Sequence, residues 1–126
     1  MKKQISIDEA TGEVTKVTDL ADALGADMQN AMLNELQRAA DRFWRYNHST
    51  HESYSLIREE LEEAQEALKV IPDGLKEAWK QVRTNDDIVF ATMCDQIQRD
   101  ALRAAGECIQ LAAMAMKASD SVYHNA

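Results

Sequence analysis

The chain has 126 residues, with 14 Lys plus Arg against 22 Asp plus Glu and a formal charge of −8. That balance argues against a general nucleic-acid binder, which needs a basic footprint, and no apolar run approaches the roughly 20 residues of a membrane span. One Pro and four Gly in a chain rich in Ala, Leu, Met, Gln and Glu are a helix former's composition, in a length suited to one domain.

Residues 3–19 stand apart from the rest. Ile5, Ile7, Val14 and Val17 are β-branched, and Glu9 to Glu13 forms a plausible turn with Gly12 inside it. A short hairpin is the expectation here, within an N-terminal arm of residues 1–25. The opening MKKQISIDEA lacks the apolar core of a signal peptide. Cys94 and Cys108 have no CxxC spacing and no His cluster, which fits reduced, partly buried thiols. A cytoplasmic protein is expected.

The helical domain is expected over 26–120. A first helix runs from about Ala26 to Tyr46, with Met28, Met32, Leu36, Ala39, Phe43 and Tyr46 as its apolar stripe. Phe43, Trp44, Tyr46 and His48 gather at its end, either as a base-stacking platform or as the cap of one end of a bundle. The next helix begins at Ser49, which with Glu52 makes a capping box. Tyr54, Ile57, Leu61, Ala64 and Leu68 recur in steps of three and four. Ile71-Pro72-Asp73-Gly74 predicts a break, then a short helix from Leu75 to Val82. Thr84 to Asp87 predicts a second break with an N-cap. The last helix is expected from Asp86 or Asp87 to Ser119, with a kink near Cys94 to Gln98 left open. Its residue Gly106 leaves room for close approach. Residues 121–126 are expected to fray. The fold class is thus all-α: an up-and-down, four-helix-bundle-like arrangement of three long helices and one short one, plus the possible hairpin.

The chemistry concentrates on Glu59, Glu60, Glu62 and Glu63. Glu60 and Glu63 share a stripe with Leu56 and Ala67, beside the apolar face. Glu59, Glu62 and Glu66 lie further round. Two carboxylates one turn apart and aimed inward need a partner, because an unpaired buried charge is costly. Mg2+ is the natural oxygen-seeking candidate. The plain alternative is a solvated face with i,i+4 pairing to Lys or Arg. A bundle-core metal site needs a ligand from a second helix. Glu107 offers one, on the otherwise apolar stripe Ala104, Leu111, Met114, Ala118. Gln110 stands one turn on.

His51-Glu52-Ser53-Tyr54, then Glu59-Glu60-Leu61-Glu62-Glu63, then Glu107-Cys108-Ile109-Gln110-Leu111-Ala112-Ala113-Met114-Ala115 carry a resemblance. Over about 32–120 the chain resembles the MazG-like nucleotide pyrophosphohydrolases, especially their short phage and prophage branch. EExxE is matched by Glu59, Glu60 and Glu63. ExxD is matched by Glu107, with Gln110 where the family has Asp. The resemblance implies an all-α pyrophosphatase of dimeric or tetrameric assembly. It converts a nucleoside triphosphate and water to a monophosphate and pyrophosphate, in house-cleaning or a phage nucleotide pool. It implies Glu60, Glu63 and Glu107 as ligands of Mg2+ or Mn2+, with Glu59 as a further ligand or as the residue that orients the attacking water, and Glu59 and Glu63 in catalysis.

Trp44, His51, Tyr54, Gln110, Arg103 and Lys117 are the candidate substrate-binding residues. Arg103 and Lys117 share a face with Gln110, and Lys76, Lys80 and Arg83 are further candidate cations for phosphate. Gln110 removes one anionic ligand and bears on catalysis more than on fold. The alternative function is a non-catalytic helical bundle that binds nucleotide or a protein partner through the same acidic groove. A purely structural oligomeric bundle is a third.

Overall fold

The computed structural model describes residues 3–7, 14–19 and 24–126. Strands β1 (Lys3–Ile7) and β2 (Val14–Asp19) pair antiparallel, Ile5 opposite Val17, with a register shift between Ser6 and Ile7. The expected turn at Glu9 to Glu13 lies outside the described residues.

From residue 24 onward the chain is all-helical. Helix α1 spans Gly25–Arg42, α2 spans Thr50–Arg83 and α3 spans Asp87–Asn125. Helices α2 and α3 form a long hairpin, and α1 lies against α3. The α2–α3 seam is built on alanine. Ala64, Ala67 and Ala78 of α2 and Ala104 and Ala113 of α3 are its buried apolar residues. Such small side chains bring the helix axes close but exclude little water. No large side chain among the described residues is fully buried.

The helix starts follow local chemistry. Ser49 Oγ accepts from Glu52 N–H at 3.1 Å. The return bond of the capping box is displaced by one residue, since the Glu52 carboxylate accepts from His48 N–H at 2.8 Å. Asp86 Oδ1 caps α3 by accepting from Val89 N–H at 3.1 Å. The turn before it places Asn85 at φ 57°, a conformation asparagine tolerates better than most residues.

Several expected boundaries are corrected. Helix α1 stops at Arg42, with Phe43 extended, so the aromatic cluster sits in a turn and not on the helix. The expected break at Ile71 to Gly74 is absent: α2 runs through Pro72, and no separate short helix forms. Pro72 forfeits one backbone bond, but the partner helix supports the segment. Gly74 faces α3 so closely that an added Cβ would lie 3.4 Å from Ile97 Cγ1. Helix α3 continues without interruption through Cys94 to Gln98. At Gly106 nothing lies within 4 Å of an added Cβ, so no group among the described residues uses the room it leaves. Cys94 and Cys108 are free as expected, but exposed instead of partly buried.

The C-terminal residues are not frayed. They remain helical to Asn125 and are tied to the α1–α2 turn. Buried Asn47 donates its backbone N–H to Ser121 Oγ at 2.7 Å and its Nδ2 to Ser53 Oγ at 2.8 Å. Asn125 Nδ2 donates to Asn47 O at 3.0 Å, and His124 stacks on Tyr46 at 3.8 Å. Tyr46 therefore closes an end of the bundle. Replacing Ser121 by Ala leaves the Asn47 N–H buried without an acceptor. We expect a loss of about 1–3 kcal/mol, read as a lower urea midpoint at unchanged slope.

Candidate metal centre and adjoining pocket

Glu60, Glu63 and Glu107 converge. One carboxylate oxygen from each lies within 4.8 Å of the others. The alanine seam sets this up. Ala64 and Ala67 follow Glu60 and Glu63 by one turn on α2, and Ala104 precedes Glu107 by one turn on α3. Close approach of the backbones there draws the three acids together.

Their environment is unfavourable for bare carboxylates. Glu60 Oε2 and Glu107 Oε2 are buried and have no hydrogen-bond partner among the described residues. Burial and then the charges of Glu63, Glu107, Glu59 and Glu35 push the Glu60 carboxyl up to about 6. Glu63 is the more exposed member. Two orphaned buried oxygens and a hard-oxygen donor set from two helices fit a divalent cation. The three would hold it with positions left for water or substrate.

A cavity of about 320 Å³ opens beside the cluster. Helix α2 supplies Glu52, Leu56, Glu59 and Glu60, and α3 supplies Gln110, Met114 and Lys117. The far wall is α1 and its aromatic turn, including Glu35, Arg38, Phe43 and Trp44. Leu56, one turn before Glu60, and Met114, one turn after Gln110, continue the stripes that carry those two residues. Phe43 and Trp44 are exposed at the rim, 66% and 68%. They neither fill a core nor close a bundle end. Arg38 is occupied by Glu35 across one turn of α1, Nε to Oε2 at 2.9 Å. Arg42 sits over the Phe43 ring at 5.5 Å.

The candidate substrate-binding residues divide. Trp44, Gln110 and Lys117 line the cavity together. Arg103 does not join Gln110 and Lys117. It lies on the other flank of the acidic cluster, with Glu59, Glu62, Glu63, Glu66 and Glu107. His51 and Tyr54 are exposed and line neither space. Lys80 is paired with Glu77 at 2.8 Å, at the far end of α2. The contributions of Glu35, Arg38 and Arg42 were not visible in sequence. Glu35 and Arg38 form an i,i+3 ion pair with Arg42 one turn on, an ordinary pattern for a solvated face, and nothing local says that this face of α1 turns toward α2.

No helix among the described residues is long and apolar enough to cross a membrane. Neither a family model, nor a curated protein, nor a solved structure matches the chain.

Proposed function

We propose that this chain is a metal-dependent pyrophosphohydrolase of nucleoside triphosphates, of the MazG-like kind, acting on the cytoplasmic nucleotide pool as a homodimer or homotetramer. The observation that carries the reading is the convergence of Glu60, Glu63 and Glu107 with two buried oxygens left unpartnered. The motif resemblance supports it independently.

Glu60, Glu63 and Glu107 would hold Mg2+ or Mn2+, which when bound would supply charge neutralisation for the triphosphate, polarisation of the α-phosphate and a more acidic water. Glu59, at the edge of both spaces, orients the attacking water and takes its proton, with Glu63 assisting. Trp44 stacks on the base at the rim. Leu56 and Met114 form an apolar floor beneath the nucleoside. Gln110 contributes an amide oxygen and an amide donor but no charge. The products are a nucleoside monophosphate and pyrophosphate.

A second reading rests on Gln110. A neutral residue where a carboxylate is expected favours a pocket that binds nucleotide without hydrolysing it. Pyrophosphate release from a panel of NTPs and dNTPs, with Mg2+, with Mn2+ and with chelator, separates the two. The hydrolase reading expects release that requires metal. Nucleotide binding without release from any member of the panel establishes the binding reading instead.

Self-association is supported by what the chain leaves bare. Leu75, Trp79, Ile88 and Leu102 are all at least 60% exposed. Two helices sharing an alanine seam are half of a four-helix bundle, and a second copy supplies the other half.

A further inference from the structure

Ala67 of α2 and Ala104 of α3 are buried in the seam of the hairpin. In two right-handed helices running antiparallel, the residue after a seam position turns to the same side of the pair on both. The residue before it turns to the other side. Glu66 and Arg103, each one position before, do share a space, on the side of the acidic cluster. Leu68 and Ala105, each one position after, therefore lie together on the opposite side.

That opposite side is open and uncharged. On α2, Tyr54, Leu61, Leu68, Leu75 and Val82 recur every seven residues, each between 42% and 67% exposed. On α3, nine exposed positions from Ala91 to Ser119 follow in alternating steps of three and four, and none carries a charge. Within that row Cys94, Ala101, Cys108 and Ala115 are again seven apart, and all are small. A seven-residue spacing marks a helix face that packs along its length on another helix. Helix α2 has 34 residues, so the face is about 50 Å long and, at two helix widths, roughly 20 Å across. That is on the order of 1000 Å², against about 800 Å² from each partner in a stable interface.

The two rows match in height. Gly74 faces Ile97, and Glu60 and Glu63 both converge on Glu107. This register sets Leu75 level with Cys94, Leu68 with Ala101, Leu61 with Cys108 and Tyr54 with Ala115, to within about 3 Å of rise. A copy turned about an axis across the helices would set each helix on its own counterpart, large on large along α2 and small on small along α3. A copy turned about an axis parallel to the helices keeps every height and exchanges the helices. Each large residue of α2 then meets a small residue of α3, and only this rotation fills the interface evenly.

We propose that a second copy of this chain covers this face, turned about a two-fold axis parallel to the helices, with Leu61, Leu68 and Leu75 of each copy seated on Cys108, Ala101 and Cys94 of the other. The inference rests on the assembly reading above and adds to it the face and the rotation. The acidic centre lies on the far side of the hairpin, so each copy keeps its own Glu60, Glu63 and Glu107 outside the interface.

The test is thiol cross-linking between two variants of the full chain, mixed, allowed to exchange and treated with a short bismaleimide. One variant is Cys94→Ala, which keeps Cys108. The other combines Cys94→Ala, Cys108→Ala and Leu61→Cys. Covalent dimer is expected from the mixture and little from either variant alone, because like positions lie diagonally across the bundle. A mixture that gives no covalent dimer, or no more than the variants give alone, overturns the proposal. If the wild type is still dimeric by ultracentrifugation, the assembly reading survives that result. A monomeric wild type sinks both. Circular dichroism establishes that the variants are folded. Where Leu61→Cys is not, a size swap reads the same geometry. Ala101→Leu is expected to weaken association by about tenfold or more through overpacking, and Leu68→Ala in the same chain to restore most of it. Unchanged association in Ala101→Leu, or no rescue by Leu68→Ala, overturns the proposal equally.

Discussion

Glu60→Gln is expected to act in opposite directions on stability and on turnover. In the metal-free protein Glu60 faces Glu59 and Glu63 on its own helix, Glu107 on α3 and Glu35 on α1. Its carboxyl is raised to about 6, so the folded state holds this proton more tightly than the unfolded chain does. The corresponding stability is present below the unfolded value near 4.5 and is lost as pH rises through about 6. A shift of this size corresponds to about 2 kcal/mol in a dry site. Partial exposure reduces that to the order of 1 kcal/mol. At pH 7 with chelator, Glu60→Gln should therefore melt a few degrees higher than wild type, and its pH dependence over this window should flatten. On the proposed function, the same substitution should lower kcat/KM for the best nucleotide by on the order of 100-fold or more, since it would remove a proposed metal ligand. Addition of Mg2+ should stabilise the wild type and leave the variant unchanged. Melts with and without metal at pH 4.5, 6 and 7.5, beside one activity assay, read all of this. A variant that melts lower at pH 7 in chelator would show that the acids are held by something other than mutual repulsion awaiting a cation.

The second large effect concerns assembly. The outer half of the α2–α3 hairpin carries Leu75, Trp79, Val82, Ile88 and Phe90 exposed, with only Ala78 buried among them. Two helices with so little between them do not offset the conformational entropy of ordering about 30 residues. Trp79→Glu places a charge at the centre of this apolar surface. Central tryptophans are the residues whose loss weakens interfaces most, by about 2 kcal/mol or more. Analytical ultracentrifugation is expected to show a dimer or tetramer for wild type, and at least a thirtyfold weaker association for Trp79→Glu, roughly 2 kcal/mol. Loss of helicity should accompany dissociation. A wild-type chain that sediments as a fully helical monomer would refute the assembly.

How much of this was legible in the sequence differs by element. The start of α2 was, because Ser49 and Glu52 are a local device and need no tertiary information. The pairing of Glu60 and Glu63 with Glu107 was also legible, since a charged residue on an otherwise apolar stripe has few places to go. The continuity of α2 through Pro72 was not. Local propensity favours a stop there, and packing of Gly74 against Ile97 overrides it. The anchored C-terminus was missed for a similar reason. Asn47, Ser53, Ser121 and Asn125 are unremarkable polar residues until the α2–α3 hairpin brings the first two beside the last two. The wall contributed by α1 was hidden because its polar residues look solvated from within their own helix. Phe43 belonged to an apolar stripe only for as long as the helix was expected to reach it.

The most direct test of the central claim is Mn2+ binding followed by electron paramagnetic resonance. Titration of wild-type chain should remove the signal of free Mn2+ saturably, and Glu107→Gln should leave most of that signal in place, with both proteins folded by circular dichroism. Wild-type chain that leaves the Mn2+ signal untouched, or a variant that binds as wild type does, would contradict a metal centre at Glu60, Glu63 and Glu107.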